Sequence, residues 1–232
     1  MLELKNIKSG YGKKAVLEDV SVKLRDNCIT VIMGAKGAGK STLLNTAFGI
    51  IRAMDGKIYL DGAEIRPSPQ MLVRAGIYFV PQRNRVFPDM TVRENIEIAM
   101  HSWADKSVFE SRLGEVLNYF PDLKNRLDAR ADTLSGGQQQ MVALALGLVG
   151  KPKMIFMDEP SIGLAPKLIN DVFHKIRNLC DKTGTAFVIV EHNLKTLLPL
   201  TDWAYILQNG TVVYDGPSTG KTLEKMTSVV FK

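Results

Sequence analysis

Nine consecutive residues, Gly34-Ala35-Lys36-Gly37-Ala38-Gly39-Lys40-Ser41-Thr42, have the composition and spacing of a phosphate-binding loop. They follow the short apolar run Ile29 to Met33 and open a helical pattern from Thr42 to Ile51. That context matters. Glycines let backbone N–H groups turn inward around phosphate oxygens, and the start of the following helix adds its positive end. Lys40 supplies a mobile ammonium for the terminal phosphates, and Ser41 offers a hydroxyl to Mg²⁺. Lys36 adds a charge beside the phosphates and has two readings: a solvated lysine, or one that tightens triphosphate binding.

A second group is the pair Asp158-Glu159, which ends the apolar run Met154-Ile155-Phe156-Met157 and precedes Pro160. Parallel α/β sheets place their chemistry at such strand ends. Asp158 suits Mg²⁺, through a water. Glu159, pointing elsewhere, can polarise an attacking water. The third group is Leu134-Ser135-Gly136-Gly137-Gln138. Ser135 and Gln138 have the spacing of a helix-capping box. The helix behind them, Gly136 to Val149, is apolar enough to be buried. A capped core helix accounts for the serine and the glutamine. The glycine pair lowers helix propensity, which is unfavourable unless a ligand must approach the bare, anion-attracting helix end. A decoy lies near the C-terminus: Gly216-Pro217-Ser218-Thr219-Gly220-Lys221-Thr222 is one residue short of a phosphate loop, with Asp215 where glycine is needed. Pro217 also removes an N–H from any cradle. The stretch reads as a turn capping a C-terminal helix.

The elements that must position these groups follow from hydrophobic periodicity. Leu2, Leu4 and Ile7, then Val20, Val22 and Leu24, alternate with polar residues as half-buried strands do. Ile58-Tyr59-Leu60 runs into an Asp61-Gly62 turn, a hairpin signal. From about 83 to 150 helical patterns replace strands: Thr91 to Met100, Ser107 to Phe120, and Gly136 to Val149. Continuous apolar runs return at Met154 to Met157 and Ala186 to Val190, as expected of strands buried on both faces. Lys167 to Leu179 is the helix between them, and Trp203 to Leu207, Asn209-Gly210 and Val212 to Tyr214 form a closing hairpin.

Bulk properties narrow the classes. The 232 residues are 45% hydrophobic and 23% charged, as in ordinary globular proteins. The net charge of +6 is spread without a block of like charges, so it gives no independent sign of nucleic-acid binding. Cys28 and Cys180 read as buried thiols rather than a disulfide, and His101, His174 and His192 show no metal-ligand spacing. There is no leader pattern, and no apolar run approaches the ~20 residues that span a bilayer. The expectation is a cytosolic protein, or one held at a membrane through partners.

The phosphate loop, the stretch Leu134 to Gln138 and the Asp158-Glu159 pair, in that order, resemble the ATP-binding cassette (ABC) family of ATPases over essentially the whole chain. The resemblance implies one ABC ATPase domain over 1–232. Its fold would be α/β: a P-loop NTPase core with a parallel sheet, an N-terminal antiparallel β subdomain, and an inserted α-helical subdomain at about 83–150. It implies ATP and Mg²⁺, with Gly34, Ala35, Lys36, Gly37, Ala38, Gly39, Lys40, Ser41 and Thr42 on the nucleotide. Ser41, Gln82 and Asp158 would serve the metal. Glu159, His192 and Gln82 would be catalytic, His192 at the γ-phosphate and Gln82 as its sensor. Tyr11, between Gly10 and Gly12, resembles the aromatic that stacks on adenine, a surface tyrosine being the other reading. Ser135, Gly136, Gly137 and Gln138 would bind the γ-phosphate of ATP held by a second subunit. ATP would then join two cassettes head to tail, and hydrolysis would part them.

Within the family, Gln138-Gln139-Gln140-Met141, Ser161-Ile162-Gly163-Leu164-Ala165-Pro166 and Phe87 to Asn95 look like the smaller ATPase subunit of branched-chain amino-acid importers. Three positions depart from the wider family: Lys36 where asparagine is usual, Leu146 where arginine is usual, and Leu164 near a usual aspartate. The implied protein powers a prokaryotic importer as a peripheral subunit on the cytoplasmic side of the cell membrane. Its partners would be a like or unlike second ABC ATPase, integral membrane permease subunits and, indirectly, an extracytoplasmic substrate-binding protein, with no nucleic acid. Urea and other amide importers and lipopolysaccharide exporters use similar cassettes. A non-transport ABC ATPase is the less favoured alternative: relatives in DNA repair carry long coiled coils or zinc modules and translation factors carry two cassettes, and this sequence shows neither. An ATP-binding subunit without hydrolysis is disfavoured by Glu159 and His192.

Overall fold

Alternation in the first two strands builds a small antiparallel sheet. In the computed structural model, which describes residues 1–82, 85–102, 108–192 and 194–219, β1 (Leu2–Tyr11) pairs with β2 (Lys14–Leu24). Leu2, Leu4 and Ile7 and the facing Val20, Val22 and Leu24 are buried. β3 (Ile29–Gly34) and α1 (Lys40–Ala47) follow, and then β4 (Asp55–Leu60) and β5 (Ala63–Ile65) complete a four-stranded sheet in the order β2-β1-β4-β5. The Asp61-Gly62 hairpin turn joins β4 to β5 as its sequence indicates.

The second sheet has six strands. After α2 (Pro69–Arg74) come β6 (Ile77–Val80) and four helices with no named strand between them: α3 (Val92–Ile98), α4 (Phe109–Tyr119), α5 (Pro121–Lys124) and α6 (Gly136–Leu148). β7 (Met154–Asp158), α7 (Pro166–Thr183), β8 (Ala186–Val190), α8 (Leu194–Leu197), β9 (Trp203–Gln208) and β10 (Thr211–Pro217) then follow. The strand order is β10-β9-β3-β8-β7-β6. All pairs are parallel except β9 with β10.

β3, β7 and β8 are buried along their whole length, which is why they read as unbroken apolar runs. Their side chains alternate between two cores. Val31, Met33, Ile155, Met157, Phe187 and Ile189 join α6, α7 and the helices α3 to α5. Ile32, Phe156, Val188 and Val190 join α1 and the antiparallel sheet.

Two boundaries differ from the sequence reading. The first helix ends at Ala47 rather than Ile51, because the chain turns away at Gly49. The decoy stretch is not a turn at its start: Gly216 and Pro217 extend β10, paired with Ala204 and Trp203. The helix it was read to cap lies outside the described residues. The Asn209-Gly210 hairpin does more than reverse the chain. The Gly210 carbonyl accepts the Glu18 N–H at 2.9 Å, and its N–H donates to the Ala38 carbonyl at 3.2 Å.

Candidate active site

Four parallel strands deliver the expected residues to one sheet edge. The loop 34–39 leaves the end of β3, Asp158 ends β7, Glu191 and His192 follow β8, and Gln82 lies two residues beyond β6. Neighbouring strands in register, β3 beside β8, β8 beside β7 and β7 beside β6, bring these ends together.

The loop needs its glycines. A Cβ on Gly34 would lie 2.3 Å from the Leu207 carbonyl oxygen. Gly39, at φ 104°, caps α1 in a conformation closed to most residues, and its Cβ would meet Leu17 at 2.6 Å. Gly37 and Ala35 are conspicuously different from each other in backbone: only Gly37 has positive φ, 84°. Lys40 is only 5% exposed and donates to the Gly34 and Ala35 carbonyls, both at 3.0 Å. Burial lowers its pKa, and the charges of Glu159 and Asp158 oppose that. The ammonium thus waits in the loop on carbonyl partners that a stronger anionic acceptor can replace. Thr42 and Ala38 are buried, whereas Ala35, Lys36 and Gly37 are exposed.

Across the sheet edge, Ser41 Oγ donates to Asp158 Oδ1 at 3.1 Å. Burial raises the Asp158 pKa, with the neighbouring Glu159 charge adding to it and the Ser41 hydrogen bond opposing it. Two hard oxygen donors, one of them a carboxylate, are the donor set that Mg²⁺ prefers. The site therefore fits both a triphosphate and that cation.

Glu159 adopts φ 48°, and its carboxylate meets different partners from that of Asp158. Gln82 Nε2 donates to its Oε2 at 2.5 Å, and the His192 Nε2 lies 2.9 Å from its Oε1. Glu159, Gln82 and His192 are thus joined by hydrogen bonds, with Asp158 adjacent in the chain and bonded to Ser41. Tyr11 is 58% exposed at the end of the β1–β2 hairpin, paired with Lys14.

The Ser135 to Gln138 stretch is a true capping box. The Gln138 N–H donates to Ser135 Oγ at 3.4 Å, and the Ser135 N–H donates to Gln138 Oε1 at 3.0 Å. Gly137 is buried, but Ser135 and Gly136 are exposed. Among the described residues, no hydrogen bond joins this stretch to the loop 34–42 of its own chain.

Three participants were not visible in the sequence. Glu191 is buried and accepts the Ser161 N–H at 3.2 Å and the His192 N–H at 2.6 Å. Arg85 reaches Gln82, Gln140 and Ile162 at once. Gln140 is fully buried in α6. An acid immediately after a buried parallel strand was the available signal for Glu191; Gln140 stood out only as part of the stretch Gln138 to Met141, with no role assigned, and nothing gave Arg85 a role.

Comparisons with known proteins give the family. Residues 17–162 match the family model described as ABC transporter. The chain is 41% identical to the high-affinity branched-chain amino acid transport ATP-binding protein BraG of Pseudomonas aeruginosa, over 92% of this chain and 91% of that protein. It is 36% identical to the probable branched-chain amino acid transport ATP-binding protein LivF of Archaeoglobus fulgidus, over 93% and 92%. Among solved structures, the ADP conformation of an ATP-binding cassette of an ABC transporter matches with a TM-score of 0.88 and 30% identity, covering 99% of this chain and 97% of that one. A dimeric post-hydrolysis cassette bound to ADP and Pi matches with a TM-score of 0.81 and 26% identity, covering 95% and 100%. The chain belongs to the ABC transporter family. It is an ATPase built on the ATP-binding cassette fold. No helix among the described residues is long and apolar enough to cross a membrane.

Proposed function

We propose that this chain is the ATP-hydrolysing subunit of a prokaryotic branched-chain amino-acid importer, working as one half of a head-to-tail cassette pair on the cytoplasmic face of the membrane. The observation that carries the hydrolytic reading is the pairing of Gln82 and His192 on the two oxygens of Glu159, beside the Ser41–Asp158 pair. The backbone from Gly34 to Thr42 and the Lys40 ammonium hold the phosphates, and Tyr11 covers the adenine. Ser41, Asp158 and Gln82 would hold Mg²⁺, which would offset charge developing on the phosphoryl oxygens. Glu159 accepts the proton of the attacking water, Gln82 orients that water, and His192 donates to the γ-phosphate. In this geometry each Glu159 oxygen has one partner and keeps a second acceptor site for a water, so Gln82 and His192 orient the base rather than block it.

The pairing rests on the Ser135–Gly136 end. A Cβ on Gly136 would meet nothing closer than Leu164 Cδ2 at 3.4 Å, an ordinary contact. The chain's own packing therefore does not require glycine there. A phosphate approaching from a second copy, or from a related cassette, does. The permease subunits and the indirect link to an extracytoplasmic binding protein follow from the importer relatives, as does the amino-acid class of the cargo.

The test is capture of the native complex from membranes through this chain. Permease subunits and a second cassette should co-purify, and reconstituted ATPase activity should rise with a leucine-, isoleucine- or valine-loaded binding protein. Stimulation by urea or lipopolysaccharide instead would reassign the cargo. Capture of no membrane protein would refute the importer reading.

A further inference from the structure

Arg85 stands where three chain segments meet. Its Nε and Nη2 donate to the Gln82 carbonyl at 3.1 and 3.0 Å. Nη2 also donates to the Ile162 carbonyl at 3.2 Å, and Nη1 donates to Gln140 Oε1. Burial lowers the Arg85 pKa, and the buried Glu191 opposes that. Glu191 in turn accepts the N–H groups of Ser161 and His192. One guanidinium therefore connects the Gln82 segment, helix α6 and the Ser161–Pro166 loop, and faces the carboxylate that ties that loop to His192.

The geometry of this contact is specific to arginine. Its five N–H donors lie in one rigid plane, and a lysine ammonium on a flexible stem cannot serve three acceptors along those directions. Gln140 gives a second, independent sign. It is fully buried, its Oε1 faces Arg85, and its Nε2 has no hydrogen-bond partner among the described residues. A buried donor without a partner is unfavourable. A methionine would fill similar space without that penalty, so packing alone does not account for an amide here.

We infer that Arg85 is a positioning residue for hydrolysis: it locks the Gln82 backbone to α6 and to the Ser161–Pro166 loop, so the contact between Gln82 and Glu159 is set by where α6 stands. Movement of α6, whose exposed end is the proposed second phosphate site, is thereby felt at the base in the first. The inference rests on reading Glu159 as that base.

The test compares Arg85→Ala, Arg85→Lys and Gln140→Met in the full chain. None of the three touches the Lys40 cradle, so fluorescent-nucleotide affinity measured without Mg²⁺ should stay at the parental value. Misplacing a reacting group lowers turnover by on the order of 10-fold or more, and kcat should fall by that much in Arg85→Ala and Arg85→Lys alike. Methylguanidinium should restore part of the turnover of Arg85→Ala and none of that of Arg85→Lys. Gln140→Met should lose turnover while its thermal midpoint holds or rises. Should Arg85→Ala fail to fold, the other two variants decide. Parental kcat in Arg85→Lys and Gln140→Met, or loss of turnover that follows loss of thermal stability in every variant, would overturn the inference while leaving the hydrolytic reading intact. A parental chain and complex without ATPase activity would instead sink the reading of Glu159.

Discussion

Replacing Glu159 by glutamine separates proton acceptance from the grip on nucleotide. In the parent, Oε2 accepts from Gln82 Nε2 at 2.5 Å and Oε1 sits 2.9 Å from His192 Nε2. A glutamine of the same shape can turn its carbonyl to Gln82 and its amide to the ring nitrogen of a neutral His192. Both contacts survive, so the fold and the loop 34–42 should be unaffected. Lys40 and Ser41 make no hydrogen bond to Glu159, and removing a negative charge beside the phosphates leaves nucleotide affinity equal or tighter. What is lost is the proton acceptor. General-base catalysis contributes about 10²- to 10⁴-fold, or roughly 2.7–5.5 kcal/mol of barrier at 1.36 kcal/mol per tenfold. Phosphate release at saturating Mg-ATP should fall within that range, fluorescent-nucleotide binding should persist, and light scattering should find a long-lived ATP-bound pair of cassettes. Turnover within about threefold of the parent, against the 10²-fold floor expected of a lost base, would show that another group activates the water. Affinity falling in step with turnover would show that the residue holds nucleotide instead.

Gly136→Ala should leave thermal stability and monomeric nucleotide binding unchanged, since its Cβ makes only ordinary contacts with Leu164 and the Gly163 carbonyl, yet abolish ATP-driven pairing by gel filtration. Lys36 is exposed and forms no ion pair among the described residues, so Lys36→Asn should change nucleotide affinity by less than about threefold, a loss on the scale of a screened surface charge. A larger loss would give it a role at the phosphates. Burial pushes the Cys180 thiol up to about 11, with Arg177 opposing, and burial raises that of Cys28 as well. A thiol whose folded pKa is raised favours the native state fully below its unfolded pKa of about 8.5. That contribution is lost as pH rises through about 11. Thiol reagents should therefore find both cysteines inert in the folded chain at pH 8 and reactive after denaturation; a fast-reacting native thiol would contradict the burial.

The central site was legible because its residues are tied to local context: a glycine loop between strand and helix, and carboxylates at the end of an apolar run. Ser135 and Gln138 were readable as a cap for the same reason. Arg85, Gln140 and Glu191 were not, because an arginine in a loop and a glutamine on a helix gain meaning only from segments brought together by the tertiary fold. The end of the chain misled for a different reason. Gly216 and Pro217 signal a turn, but β10 is an edge strand, and an edge tolerates a proline whose missing N–H needs no partner. The apolar Ile50-Ile51 likewise extended the helical pattern of α1 past its end, although Ile50 lies exposed beyond it.

The position of β3 has a consequence for synthesis on the ribosome. Both strands that flank it, β8 and β9, are encoded late, and the Ala38 carbonyl awaits the Gly210 N–H. A nascent chain carries the whole phosphate-binding sequence long before it has the walls that shape it, and such long-range closure is slow to form. A chain truncated ahead of residue 203 lacks β9 and Gly210 and should be inactive, although every ligand-contacting motif has already been translated.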